Sequence, residues 1–266
     1  MSKLTQTEKK RLRSLLRKKG RSEYRQFIAE GVRLLEEALR HERMPERVFY
    51  SETLIGERGL KLVNDFQGRG VAVEMITARD LDQLSDTEHS QGLIGLFNIT
   101  EANPGDLNDS NYRNFLLIDN ISDPGNAGTL IRSAAAFGID MILLTGSTVD
   151  PYNPKVVRSS SGAIFAVPVY GMTSSFFDKW HRDRKLPLLV GDLHGDDLGV
   201  ISGDLRLEDG FILAIGSEAE GISEVYIAGA DARIRIGHSD RVESLNAAVA
   251  GSILMKELYD LFSGKD

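Results

Sequence analysis

The sequence contains no cysteine. Disulfides, thiolate zinc sites, iron–sulfur clusters and a thiol nucleophile are therefore excluded together, and the absence fits a reducing compartment. The five histidines, His41, His89, His181, His194 and His238, show no ligand spacing, so no metal is expected. The short run His194–Asp197 (HGDD) reads as a polar loop. No stretch approaches the roughly 18 consecutive apolar residues of a membrane span. The opening residues MSKLTQTEKKRLRSLL lack the apolar centre of a secretory signal. The expectation is a soluble, cytoplasmic chain with no membrane partner. Internal repeats and low-complexity segments are absent as well.

What is present fits a globular protein. Hydrophobic residues make up 41% and charged residues 27% of 266, enough to bury a sizeable core in one large domain or two modest ones. The net charge of −7 is unevenly spread. Residues 1–25 hold ten basic side chains (Lys3, Lys9, Lys10, Arg11, Arg13, Arg17, Lys18, Lys19, Arg21 and Arg25) against Glu8 and Glu23, so this stretch carries +8 and the remainder −15. A basic arm on an acidic body can bind a polyanion, because phosphate contacts release counterions locally. A solvated Lys/Arg-rich helix that aids solubility is the alternative.

Hydrophobic spacing divides the chain into two α/β blocks. In the first, residues 5–16 and Gly31–His41 read as helices, RVFYS as a strand, GLKLVNDFQGRG as a helix ending at glycine, VAVEMI as a strand, ARDLDQLSD as a short helix and QGLIGLFNI as a strand. Glu101–Arg113 is rich in Asn, Asp, Gly and Pro and reads as a linker. The domains are expected at 1–103, with the basic arm at 1–25, and at 114–266, joined by 104–113. FLLID opens the second block; MILLT, AIFAVPV, LPLLVGDL, FILAIG and ARIRI read as its further strands, and Ser244–Phe262 as a final helix.

Three constellations carry polar residues at strand ends. Asp119–Gly138 (DNISDPGNAGTLIRSAAAFG) follows a strand and leads into an Ala-rich helix; Pro124, Gly125 and Gly128 permit a tight turn and close backbone approach. It is an incomplete match to a dinucleotide-binding loop, and Asn120, Asp123, Asn126 and Arg132 add a polar load that such a loop does not explain. Arg132 falls one turn into the predicted helix, within reach of a ligand in the loop or on an amphipathic surface. Ile215–Ser223 (IGSEAEGIS) ends a strand where open α/β sheets place ligands; there Gly216 allows backbone contact, Glu218 and Glu220 suit either capping of the next helix or positioning of a loop, and for Glu220 capping is preferred to catalysis. In Arg235–Leu258, Ser244 is a suitable N-cap for the final helix, with Ala247 where a capping box would have Glu. Asn246 is an amide early in that helix that needs partners.

In this order and spacing, the second block resembles the catalytic domain of the SpoU (TrmH-like) family of the SPOUT superfamily. The family's first motif has an Asn, then D-P-x-N-x-G, then Arg before a small residue and Ala; Asn120, Asp123, Pro124, Asn126, Gly128, Arg132, Ser133 and Ala134 fit it. Gly216, Glu218 and Gly221 fit the second motif, and Ser244, Leu245 and Asn246 the third. RSSSGAIFAVPV looks like the family's intervening segment. The departures are Ala219, where glycine is usual, and Gly237 and His238, which replace the Pro-Met following the isoleucine, here Ile236. FIAEGVRLLEEAL and EHSQGLIGLF make the first block look like the small α/β RNA-binding domain that many members carry in front.

The resemblance implies a C-terminal α/β domain with a trefoil knot, S-adenosylmethionine as cofactor, RNA as substrate and a homodimer with active sites at the interface. Gly216, Ile236 and Leu245 would contact the cofactor through backbone groups. Arg132 matches the catalytic arginine, and Asn120, Glu218, Ser244 and Asn246 would complete the hydrogen-bonding shell. The implied activity is methylation of a ribose 2′-hydroxyl, with large-subunit ribosomal RNA as substrate. The alternatives are transfer RNA as substrate, an inactive RNA-binding member, and a small-molecule enzyme with a nicotinamide cofactor; methyl transfer and cofactor binding separate them.

Overall fold

The computed structural model describes residues 4–87, 90–100, 105–109, 111–201 and 205–263. Lys3, Glu88, His89 and linker residues 101–104 and 110 lie outside the described residues. Two compact units form, one from Met1–Thr100 with Asp150–Ala166, the other from Glu101–Val149 with Val167–Asp266. The chain therefore passes from one unit to the other three times.

The first unit contains α1 (Gln6–Ser14), α2 (Lys18–Tyr24), β1 (Gln26–Glu30), α3 (Val32–Arg40), β2 (Arg47–Tyr50), α4 (Glu57–Gly68), β3 (Ala72–Met75), α5 (Ala78–Leu84) and β4 (Leu93–Asn98). Its sheet runs β1-β4-β2-β3, with β4 antiparallel to both β1 and β2, and β2 parallel to β3. The strand β1 lies in a stretch where the sequence pattern predicts none. The basic N-terminal stretch is folded into this unit. Thr5 caps α1 by accepting from the Glu8 amide, and Leu4, Leu12 and Leu15 enter a core with Ile28, Phe49, Ile94 and Leu96.

The second unit begins with β5 (Asn114–Asp119), α6 (Pro124–Ala136) and β6 (Met141–Thr145). The chain then returns to the first unit for α7 (Pro154–Ser159). There Tyr152 and Phe165 pack on Phe27 at ring-centroid distances of 4.8 and 6.2 Å, and Phe165 lies 4.8 Å from Phe97. Arg21, only 2% exposed, pairs with Asp150 at 2.7 Å and donates to the Leu15 carbonyl at 2.8 Å. The second unit resumes with β7 (Val169–Gly171), α8 (Ser174–Arg184), β8 (Leu188–Asp197), α9 (Leu198–Ile201), β9 (Phe211–Ile215), α10 (Glu224–Ala228), β10 (Ala232–Arg235) and α11 (Ala247–Ser263).

Its six strands run in the order β10-β8-β9-β5-β6-β7, every pair parallel. The central strands are buried and apolar except at their ends, where Asn114, Asp119 and Thr145 stand, as a parallel sheet covered on both faces requires. Three expectations are corrected. AIFAVPV is not one strand: Gly162 adopts φ 96° and starts a 3₁₀ turn over Ala163–Phe165, so β7 begins only at Val169. His194–Asp197 is not a loop but the end of β8, with Asp196 and Asp197 paired to Ile234 and Arg235 of β10. The final helix starts at Ala247 rather than Ser244. The linker also packs in part: Leu107 is buried in the second unit's core, and its carbonyl accepts from Trp180 Nε1 at 3.3 Å.

Candidate active site

The β8–β10 pairing is interrupted. Val190 pairs with Arg233, whereas the next residue of β10, Ile234, pairs with Asp196. The five residues between, Gly191–Gly195, are carried out of register. Gly191, Asp192, Leu193 and His194 thereby line a cavity of about 290 Å³, together with residues that follow β9 and β10. This is the carboxyl end of the parallel strands, where open α/β sheets bind ligands. The sequence pattern predicts an ordinary strand followed by a loop here, and nothing in the composition of the stretch marks the excursion.

Ile215, Ile222, Ile234 and Leu254 give the cavity apolar walls, and the three residues expected to contact a cofactor, Gly216, Ile236 and Leu245, all line it. Gly216 is required sterically. A Cβ there would sit 2.3 Å from the Gly221 carbonyl and 2.4 Å from the Ile222 amide, so the loop folds back too closely for any side chain. The turn is closed by hydrogen bonds in both directions between the backbones of Ser217 and Gly221.

Glu218 also lines the cavity and organises its surroundings. One carboxylate oxygen accepts from Asn246 Nδ2 at 2.6 Å, from Asn126 Nδ2 at 3.0 Å and from the Ala247 amide at 3.2 Å. The Asn126 carbonyl oxygen in turn accepts from Asn246 Nδ2 at 2.9 Å. The N-cap of α11 is Asn246, whose Oδ1 takes the amides of Ala248 and Val249 at 3.0 and 3.2 Å. Its amide near the helix start thus finds partners on both sides. A carboxylate beside these exposed amides also complements the positive helix end. Ser244 lines the cavity and is exposed, without the capping role expected of it.

Asn126 enters this cluster, although the motif alone assigns it no partner. The signal lies in the sequence around it: Asp123 caps α6 by accepting from the Asn126 amide at 2.8 Å, with Pro124 at the first helical position. That cap fixes Asn126 in the first turn.

Asn120 and Arg132 are not brought into the cluster. Asn120 sits at φ 55°, a conformation that Asn tolerates, and its side chain joins three loops. Its Nδ2 donates to Ser223 Oγ at 3.1 Å, and its Oδ1 accepts from the Ser147 amide at 2.8 Å. Beside it, the buried Asp119 accepts from Thr145 Oγ1 at 2.9 Å and from the Ser223 amide and hydroxyl at 2.9 and 2.5 Å. Asp119 thus holds the far end of the loop that begins at Gly216. Burial pushes the neighbouring Tyr226 hydroxyl up from its ordinary pKa, and Asp119 adds to the shift. Arg132 lies eight residues into α6, more than two turns rather than one. It is exposed and is displaced about 240° around the helix from Asn126.

Burial alone would raise the pKa of the Asp192 carboxyl, but the His194 amide and the Arg233 guanidinium outweigh that cost and hold it below the ordinary 3.8. A carboxyl whose folded pKa is lowered stabilises the fold above its unfolded pKa, and this contribution is lost as pH falls through the folded value. Asp192→Asn is therefore expected to destabilise the protein by up to about 1 kcal/mol at pH 7, because Arg233 is partly exposed and screened. The difference from wild type should shrink between pH 7 and a strongly acidic pH, as the carboxyl protonates below its ordinary 3.8. Urea denaturation at both pH values checks this; an equal difference at both would sink the assignment. Among the described residues, no group of three or more His, Asp or Glu side chains gathers that could hold a metal ion.

A parallel six-stranded sheet with a cavity on its carboxyl-end loops places the second unit in the open α/β class, whose ligands bind at the carboxyl ends of the strands. The SpoU rRNA Methylase family matches residues 113–256, more than half of the chain, and the MRM3-like substrate binding domain matches residues 7–95. The 23S rRNA (guanosine(2553)-2′-O)-methyltransferase RlmP of Bacillus subtilis is 28% identical over 250 residues, covering 91% of this chain and 91% of that protein. Human mitochondrial rRNA methyltransferase 3 is 33% identical over 147 residues, 54% of this chain and 34% of that protein. The AdoMet-bound rRNA methyltransferase from Sinorhizobium meliloti aligns with a TM-score of 0.83 and 27% identity, over 98% of this chain and 97% of that one. The chain belongs to the SpoU rRNA methylase family. No helix among the described residues is long and apolar enough to cross a membrane.

Proposed function

We propose that this protein transfers a methyl group from S-adenosylmethionine to a ribose 2′-hydroxyl of large-subunit ribosomal RNA. The observation that carries the reading is the convergence of Gly216, Ile236 and Leu245 on one cavity, with Glu218 tying that cavity to Asn126 and Asn246. The names of the Bacillus subtilis and Sinorhizobium meliloti relatives support it.

The lining suits the cofactor. Apolar walls accept an adenine ring, and backbone groups beside Gly216, Ile236 and Leu245 offer hydrogen bonds that need no polar side chain. When bound, S-adenosylmethionine supplies the electrophilic methyl. The protein's part is orientation and charge. Glu218 locks the cavity loop to the first turn of α11 through its three hydrogen bonds. Arg132 stabilises the developing 2′-alkoxide and grips an adjacent phosphate; its guanidinium carries N–H donors and no acceptor, which argues against ordinary base catalysis. Asn120 and Asp119 act as positioning residues by holding Ser223. The same reading includes the trefoil knot and a homodimer, the latter supported by exposed Val249 and Tyr259 on α11. Light scattering at micromolar concentration should give twice the chain mass.

Transfer of labelled methyl to total cellular RNA, followed by digestion to nucleosides, tests the function. Label on a 2′-O-methyl nucleoside from the large subunit is expected; cofactor binding without incorporation into unmodified RNA would leave an inactive RNA-binding protein. Gly216→Ala should weaken S-adenosylmethionine binding by roughly ten-fold or more, because displacing the overpacked loop costs about 1–3 kcal/mol. Calorimetric titration showing wild-type affinity would remove Gly216 from the cofactor site.

A further inference from the structure

The basic residues of the N-terminal stretch separate into two sets. Lys9, Arg11 and Arg21 are occupied within the fold: Lys9 pairs with Asp80 at 2.5 Å, Arg11 donates to Gln26, and Arg21 binds Asp150. Lys10, Arg17 and Lys19 are exposed and line a groove of about 750 Å³ formed by α1 and α2. Two acids, Glu8 and Glu23, also line it and are outnumbered by the cations; Glu8 pairs at 2.5 Å with Arg47, which it shares with Glu74. Tyr24, 39% exposed, completes the lining, and the Arg11 guanidinium lies 5.3 Å from its ring centroid.

The groove depends on a close helix approach. Gly20 is buried, and a Cβ on it would fall 2.2 Å from the Ser14 carbonyl oxygen. With any other residue α2 would be wedged away from the end of α1.

We propose that this α1–α2 groove binds an unpaired segment of RNA, with its phosphates along Lys10, Arg17 and Lys19 and one base stacked on Tyr24. The inference rests on the reading of RNA as substrate and adds a second site, outside the methyl-transfer cavity. Cations aligned in a groove follow a phosphodiester backbone, and an aromatic ring backed by a guanidinium offers a stacking platform. A base within a duplex has its faces already stacked, so the ring selects single strands.

Fluorescence anisotropy of the full-length protein with a labelled unstructured 12-nucleotide RNA, and with a duplex of equal length, tests this across a series of salt concentrations. The single strand should bind more tightly. Combined Lys10→Gln, Arg17→Gln and Lys19→Gln should lower affinity and reduce the salt slope by about 0.7 for each phosphate no longer neutralised. Tyr24→Ala should lose roughly ten-fold in affinity at an unchanged slope, and Tyr24→Phe should retain it. S-adenosylmethionine affinity, measured by calorimetry, should be the same in every variant. Wild-type RNA affinity and slope in the triple variant, or duplex bound as tightly as single strand, would overturn the proposal. So would a change in oligomer mass with RNA binding intact, which would make the groove a protein contact. A wild type that binds RNA here yet methylates none defeats the methyltransferase reading alone, whereas a wild type that methylates while these variants bind normally defeats the groove alone.

Discussion

Arg132→Lys is expected to lower methyl transfer by about two to three orders of magnitude, the usual loss when a donor to a developing oxyanion is removed. The charge survives the exchange, but the planar fork that can hold a phosphate and an alkoxide together does not. Cofactor affinity should stay within about two-fold, because Arg132 does not line the cavity around Gly216, Ile236 and Leu245. Single-turnover methylation combined with calorimetric cofactor titration separates the two quantities. Near-normal turnover would remove Arg132 from the chemistry. A parallel loss of cofactor binding would instead mean that the substitution disturbs α6, whose Ser133 hydroxyl lies 2.6 Å from that of Ser252 on α11.

The second large effect concerns stability. Arg21→Ala should destabilise the first unit by about 3 kcal/mol, since truncating one partner of a buried ion pair leaves the other uncompensated. Both Asp150 and the Leu15 carbonyl lose a donor. At about 2–4 °C per kcal/mol for a protein of this size, the first thermal transition should fall by roughly 6–12 °C. Replacing both partners with apolar residues, Arg21→Met with Asp150→Leu, should recover most of the loss, because no buried charge is then stranded. Equal melting of the single and double variants would show that Asp150 gains nothing from its partner.

Much of the architecture is legible in the sequence because long parallel strands have simple compositions. FLLI, MILL and FILAI are unbroken apolar runs, and each is the buried body of an interior strand. β1 is harder to see: QFIAE is flanked by Arg25 and Gly31, and its edge position follows from pairing with β4, sixty and more residues away. AIFAVPV has strand composition, but Gly162 turns the backbone before the strand can start. Within the site, the motifs pick out Glu218, which lines the cavity, and Asn246, which hydrogen-bonds to it. They do not separate Asn120 from Asn126, six residues apart in one motif, because α6 begins between them and sends the two amides to different partners. Ser244 has the chemistry of an N-cap, yet Asn246 takes the position. Asn246 can cap with Oδ1 while its Nδ2 reaches Glu218, and a serine hydroxyl has no second arm for that.

The excursion Asp150–Ala166 has a consequence for modularity. The first hundred residues look like a detachable cassette, ending before a polar linker. Yet Phe27 and Phe97, which stack on each other, gain Tyr152 and Phe165 as further ring partners, and Arg21 gains its counter-ion, only when a stretch encoded fifty residues downstream comes back to them. The unit is thus discontinuous in the gene. Recombination at the linker would hand a new host an N-terminal piece missing part of its own interior, while the portion left behind would present Tyr152 and Phe165 with nothing to cover them. Inheritance as a single block is the arrangement this chain path favours.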